Sequence, residues 1–290
     1  MAEDMAETGS VGFYRRSMYI LSSNPVSFVA LGAFGVIVLA AIFGPSLVPY
    51  DPLLTNASNA LQPPSLAHWF GTDQLGRDVF SRVLVATRLD LMISVLAVAL
   101  SFVVGAAIGT AAGYYGGWVD RVASRVVDTI MAFPLFVLAM GIVAALGNTV
   151  ENIVYATAVI NVPFYARVAR AEANVRRNAG FIQAAKLGGN SDFRIIAMHL
   201  FPNALPPLAI QASLNLGWAI LNAAGLSFIG LGVRPPTPEW GIMVAEGANF
   251  IVSGEWWLAL FPGAALMATV FTFNLMGDAI RDIVDPRKRT

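Results

Sequence analysis

Long stretches without a charged residue, separated by short polar segments, set the pattern of this chain. Six runs contain no Asp, Glu, Lys or Arg: 17–50, whose apolar part extends from Phe28 to Val48, then 91–119, 129–150, 152–166, 195–233 and 256–277. About 20 apolar residues at 1.5 Å rise cross a hydrocarbon core, and a mid-membrane charge costs ~2.5–3.5 kcal/mol on insertion scales. The pattern therefore predicts six membrane-spanning helices. The 152–166 run is short, lies between Glu151 and Arg167 and holds Asn161 and Pro163, so alone it also fits a re-entrant segment. Basic residues favour a crossing. With six spans and a cytoplasmic N-terminus, 14 of the 18 Lys and Arg lie on the cytoplasmic side, leaving Arg77, Arg82, Arg88 and Arg234 outside, as the positive-inside rule requires. Five spans would expose the basic 167–194 block. The first run reads as a retained helix, because its apolar core of ~21 residues exceeds a signal-peptide h-region and no A-x-A site follows.

Composition agrees. Of 290 residues, 57% are hydrophobic and 12% charged, against ~25% charged in soluble domains; the expected fold class is all-α and polytopic, with lipid bilayer as its solvent. The net charge of zero gives no sign of nucleic acid. There is no Cys, and His68 and His199 are the only histidines, so thiolate and zinc-type sites are not expected. The lysines are Lys186 and Lys288, and no Gly-x-x-x-x-Gly-Lys-Ser/Thr occurs; any ATP is hydrolysed by another polypeptide. No buried acid pair or Ser-His arrangement is expected that would suggest an intramembrane protease. The spans carry no fixed charge for an ion-coupled secondary transporter. No catalytic, cofactor-binding or metal residue is assigned.

Four local patterns carry more specific expectations. Gly105, Gly109 and Gly113 recur every four residues in the second span, a spacing that lets a second helix approach closely. Gln211, Asn215, Trp218, Asn222 and Gly225 fall on one stripe of the fifth span; in lipid these amides face either neighbouring helices as hydrogen-bonding glue or a wet pathway. Between the fourth and fifth spans, 170–203 predicts two short helices. Glu172–Arg176 pairs on the first, which continues through Phe181, Ile182, Ala184 and Ala185 to a stop at Gly188-Gly189; Ser191 and Asp192 cap the second, which ends before Pro202. Finally, Gly71 to Arg82 predicts an interfacial helix capped by Thr72, with an Asp78–Arg82 pair and Leu75, Val79, Val83 and Ala86 on one face.

Three strings resemble one family: Phe70-Gly-Thr-Asp-Gln-Leu-Gly-Arg-Asp-Val-Phe-Ser-Arg82, Gly225-Leu-Ser-Phe-Ile-Gly-Leu-Gly-Val-Arg-Pro-Pro-Thr-Pro-Glu-Trp-Gly241 and Asn274-Leu-Met-Gly-Asp-Ala-Ile-Arg-Asp-Ile-Val-Asp-Pro-Arg287. They are similar to the C-type permease subunits of ATP-binding-cassette importers for dipeptides, oligopeptides and nickel. The 170–203 segment resembles that family's EAA loop, with Gln183 for its Glu, then Ala184, Ala185, Gly189 and His199-Leu-Phe-Pro202. The resemblance implies a type I importer permease fold in a bacterial inner membrane, with both termini cytoplasmic. It divides the chain into an N-terminal segment (1–27), a first helix with an extracytoplasmic segment (28–90), a five-helix core (91–280) and a tail (281–290). It makes Gln183, Ala184, Ala185, Gly188, Gly189, Ser191, Asp192 and Pro202 the ATPase-coupling loop. The fifth-span stripe supplies Gln211, Asn215, Trp218 and Asn222 as the pathway candidates, and the resemblance makes the segments holding Thr72, Asp73, Arg77, Asp78, Glu239 and Trp240 the extracytoplasmic docking surface. The implied partners are a homologous second permease, two cytoplasmic subunits that bind ATP and Mg, an extracytoplasmic binding protein and a peptide. Nickel, opines, glutathione and oligosaccharides are alternative solutes of the same importer class.

Overall fold

The computed structural model describes residues 25–284, whose regular elements are all helical; one isolated antiparallel bridge joins Thr72 and Asp78. Arg15, Arg16, Arg287, Lys288 and Arg289, the termini and most of the 1–27 segment lie outside the described residues. In chain order the helices are α1 (Pro25–Leu47), α2 (Val79–Tyr115), α3 (Gly117–Ala132), α4 (Leu135–Leu146), α5 (Val150–Arg176), α6 (Gly180–Leu187), α7 (Asp192–Ile195), α8 (Phe201–Phe228), α9 (Trp240–Ala248) and α10 (Trp257–Val284). A 3-10 turn (Ala57–Asn59) precedes α2, and a π turn (Ile196–Leu200) joins α7 to α8.

By length and apolarity, four helices are able to cross a membrane: α1, α2, the continuous 192–228 helix and α10 through Arg281. The bent pair α3–α4 makes a fifth if it counts as one span. The α5 helix is long, but its composition does not mark it. Burial explains why. Ile153, Ala156, Thr157, Ile160, Asn161 and Tyr165 all sit inside the bundle, while Tyr155 and Val159 are exposed, so the polar Asn161 needs no lipid-compatible surface.

The most extensive helix contact in the bundle is α2 on α5. A Cβ on Gly105 would lie 2.6 Å from the Val162 carbonyl oxygen, one on Gly109 2.2 Å from that of Ala166, and one on Gly113 2.6 Å from the Ala173 Cβ. Backbone meets backbone there, as the four-residue spacing predicts. Ile93, Ala97, Ala139, Ile153 and Ala156 continue the core toward α4. Val98, Ala106, Tyr165, Ala169, Ala204 and Leu208 extend it to α8.

Two expected spans take different forms. The interfacial helix and the second span are one 37-residue helix, α2, about 55 Å long at 1.5 Å per residue. Counting uncharged residues cut it at Asp90, although Arg82 and Asp90 are buried by packing rather than exposed to lipid. The 129–150 run is broken: α3 and α4 meet at 90°. Pro134 is the reason. Its ring drives Phe133 into an extended conformation, φ −84° and ψ 146°, ending α3. Ion pairs Asp120–Arg170 and Asp128–Arg167 tie α3 to α5.

Gly109→Leu should therefore force α2 from α5 and cost about 3 kcal/mol, the upper range for overpacking. The check is the unfolding midpoint and folded yield in detergent. Gly141→Leu, whose Cβ meets nothing within 4 Å, should leave both unchanged.

Candidate functional site

One end of the α2–α5 pair carries an elbow. Helix α5 continues through the Glu172–Arg176 ion pair to Arg176, so that pair belongs to the long helix and not to the first surface helix, as the sequence suggested. Gln183, Ala184 and Ala185 lie on α6. The turn after it is closed by backbone bonds from Gly188 N to Ala184 O (2.9 Å), Gly189 N to Lys186 O (3.0 Å) and Asn190 N to Ala185 O (3.2 Å). Gly189 has φ +73°, a left-handed conformation that favours glycine. The Ser191 hydroxyl then caps α7 by accepting from Arg194 N at 3.4 Å.

The second limb does not end before Pro202. It runs through the π turn into α8, with Pro202 in the first turn of that helix, where a missing N–H is tolerated. Phe201 N bonds back to Ile196 O, and the Asn203 side chain donates to His199 O at 2.7 Å, so the wider turn keeps backbone acceptors satisfied. The elbow has two faces. Ile182, Ala185, Ile195 and Leu200 pack inward on Tyr114 and Ala173. Outward lie Gln183, Ala184, Gly188, Gly189, Ser191 and Asp192, together with Leu187 at 91% and Phe193 at 81% exposure, Met198 and Phe181. Leu187, Phe193 and Met198 were missed as site residues. Their signal was large apolar side chains beside turn residues, where a solvated linker carries polar ones.

The fifth-span stripe divides along α8. Gln211 Nε2 donates to Asn215 Oδ1 at 2.9 Å, and Asn215 is buried beside Tyr165 and Ser101. Further along, Trp218 is 63% exposed, and Asn222 is half-buried and donates to the Trp218 carbonyl at 2.8 Å. Gly225 faces the Phe136 ring of α4. The stripe thus joins a partly buried amide pair to an open Trp218–Asn222 surface.

At the far end of α2, the six expected docking residues are all buried, so their side chains support a platform and present almost no contact surface. Thr72 does not cap a helix; its hydroxyl donates to Asn59 O and accepts from Gln62 N. Asp78 is the cap of α2, accepting from Ser81 N at 2.8 Å, and its other oxygen meets His68 Nδ1 at 2.9 Å. The Asp78–Arg82 pair does not form. Arg82 instead approaches Asp73 (3.6 Å) and Glu246 (3.9 Å), while Arg77 binds Asp73 at 2.6 Å. Val79, Val83 and Ala86 are buried as expected, but Leu75 is exposed in the preceding turn. Glu239 caps α9 through Gly241 N and Ile242 N, and Trp240 reaches α2 twice: its N–H donates to Asp90 (3.1 Å) and its indole to Val83 O (3.0 Å).

An acid pair is buried here after all. Asp90 and Glu239 hydrogen-bond to one another at 3% and 0% exposure, and burial raises the Glu239 carboxyl above its usual range. Both acids are already bonded to backbone N–H groups and sealed from solvent, so they tie α2 to α9 and offer no room for a peptide bond. Exposed apolar side chains on the segments before α2 and between α9 and α10 are Leu54, Leu66, Trp69, Leu75, Val252 and Trp256. Among the described residues, no three His, Asp or Glu side chains converge as a metal site.

Comparison with known proteins agrees with this geometry. Residues 104–290 match the family model for the binding-protein-dependent transport system inner membrane component, and 12–64 that for the N-terminal TM domain of oligopeptide transport permease C. The chain is 43% identical to a probable D,D-dipeptide transport system permease protein of Escherichia coli K12, covering 93% of this chain and 90% of that protein. It is 42% identical to a dipeptide transport system permease protein of Alkalihalophilus pseudofirmus, over 97% and 92%. It is 38% identical to a glutathione transport system permease protein of Pectobacterium atrosepticum, over 90% and 87%. A chain of the inward-facing MetNI methionine ABC transporter shares the fold, with TM-score 0.58 at 18% identity, covering 70% of this chain and 96% of that one. The chain belongs to the inner-membrane components of binding-protein-dependent transport systems.

Proposed function

We propose that this chain forms half of the translocation pathway of an ATP-driven importer for di- and oligopeptides. The observation that carries the reading is the elbow: exposed Leu187, Phe193 and Met198 surround an open glycine turn at the end of the most tightly packed helix pair. Large apolar side chains standing in water at a turn mark a protein contact. The occupant is an ATP-binding subunit, which supplies the nucleotide chemistry this chain lacks, with ATP and Mg bound there. Two such subunits closing on nucleotide would swing the permease halves and alternate access to the pathway.

In this reading the chain crosses the bilayer six times, with α3–α4 as one bent crossing, α5 as a protein-shielded one and both termini in the cytoplasm. A homologous permease completes the pathway, and Trp218 and Asn222 face it. The binding protein docks on the exposed rim of Leu54, Leu66, Trp69 and Val252, held in shape by the buried Thr72, Asp73, Arg77, Asp78, Glu239 and Trp240. The dipeptide permease relatives support peptides as the solute, and the glutathione permease relatives widen that class to a peptide-like tripeptide.

Gly189→Trp should leave membrane insertion intact, because nothing stands within 4 Å of its Cβ, while its left-handed φ strains the turn locally by about 1–2 kcal/mol. It should, however, abolish ATPase co-purification and reduce uptake. Leu187→Asp should weaken the same association by about 2 kcal/mol, roughly 30-fold, the scale of an interface hot spot; unchanged co-purification of the ATPase subunits in both variants would refute the reading. Asn215→Leu should alter uptake of a labelled dipeptide at normal folded yield if the stripe serves the pathway. Loss of folded protein with normal activity in the remainder would make it structural glue.

A further inference from the structure

The elbow is bonded to the bundle through one side chain that touches both of its limbs. Tyr114, in the last turn of α2, is buried, and its hydroxyl donates to Asp192 Oδ1 at 2.6 Å. Asp192 opens the second limb. The Lys186 ammonium, in the last turn of α6 on the first limb, stands 5.0 Å from the centroid of the same ring, within cation–π range. Ile182 and Ala185 of the first limb and Ile195 and Leu200 beyond the turn share its apolar cluster. One residue earlier, the Gly113 carbonyl accepts from Arg177 at 3.4 Å, and Gly113 itself abuts Ala173 and Arg170 of α5.

The two kinds of contact do different work. The apolar cluster, with Arg177 on the Gly113 carbonyl, keeps the elbow folded against α2, and it survives loss of the hydroxyl. Asp192 is exposed, so a carboxylate freed from Tyr114 returns to water with no buried charge left behind. The tyrosine–carboxylate bond is short and charge-assisted; its particular contribution is to fix the angle between the limbs and the end of α2. We infer that Tyr114 is a positioning residue that yokes both limbs of the elbow to α2, so that displacement of the elbow by an ATPase is delivered to the helix whose other end bears the buried external platform.

This inference rests on reading the elbow as the ATPase contact, and the experiment separates the two. The complete importer, with partner permease and ATPase subunits, is placed in lipid nanodiscs, and ATP hydrolysis is measured with and without its loaded binding protein. Tyr114→Phe should match wild type in yield, in retained ATPase and in basal hydrolysis. Its stimulation by the binding protein should fall about fivefold, the low end of coupling between distant sites. Asp192→Asn should lose stimulation similarly, and the double variant should be no worse than either single one, as a shared bond requires. Stimulation within twofold of wild type in Tyr114→Phe, or losses that multiply in the double variant, would overturn the yoke while leaving the elbow reading intact. A parallel fall in yield and retained ATPase would also overturn it, because the hydroxyl would then serve packing. A wild-type chain that transports without holding any ATPase at the elbow would instead overturn the underlying reading, and the yoke with it.

Discussion

In a bilayer, one apolar helix face gains little by leaving lipid for another, so association depends on how closely backbones approach and what they bond. The α2–α5 contact meets that constraint with Gly105, Gly109 and Gly113 against the carbonyl edge of α5. Several other elements are placed by it. Helix α8 packs on both partners, α3 hangs on α5 by ion pairs, and the elbow grows from the end of α5 and is pinned to the end of α2. Helix α5 keeps Asn161, Pro163 and Tyr165 on its buried face.

What was legible in the sequence was local. The glycine spacing, the stop at Gly188-Gly189 and the Ser191 cap each depend on a few neighbouring residues, and each has its expected form. Pro134 and Pro202 show the limit of that logic. Pro134 breaks a run that looked like one span, because apolarity says nothing of direction. Pro202 fails to separate two helices, because a π turn absorbs it and the helix continues. The outer face of the elbow was half visible: turn residues marked its place, while Leu187 and Phe193 declared its nature only once shown to point outward.

The buried platform at the N-terminal end of α2 was least legible, because its bonds join residues far apart in the chain. Asp78 found His68, Arg82 found Glu246, and Trp240 found Asp90 and Val83. Charged motif residues that looked like contacts for a partner are buried and tie neighbouring segments together instead. Burying Asp73, Arg77 and Arg82 together is expensive unless each finds an opposite charge or a carbonyl, and Arg82 also reaches the Pro52 and Pro236 carbonyls. These ties gather the segments before α2 and before α9 onto one helix end.

The outward apolar face of the elbow has a consequence for how a cell must make this protein. Before assembly, Leu187 and Phe193 stand uncovered at the aqueous surface, where quality-control chaperones and proteases recognise bare hydrophobic side chains. On the proposed function, the residues an ATP-binding subunit would cover also mark an unassembled chain, so matched synthesis of the other components would protect it.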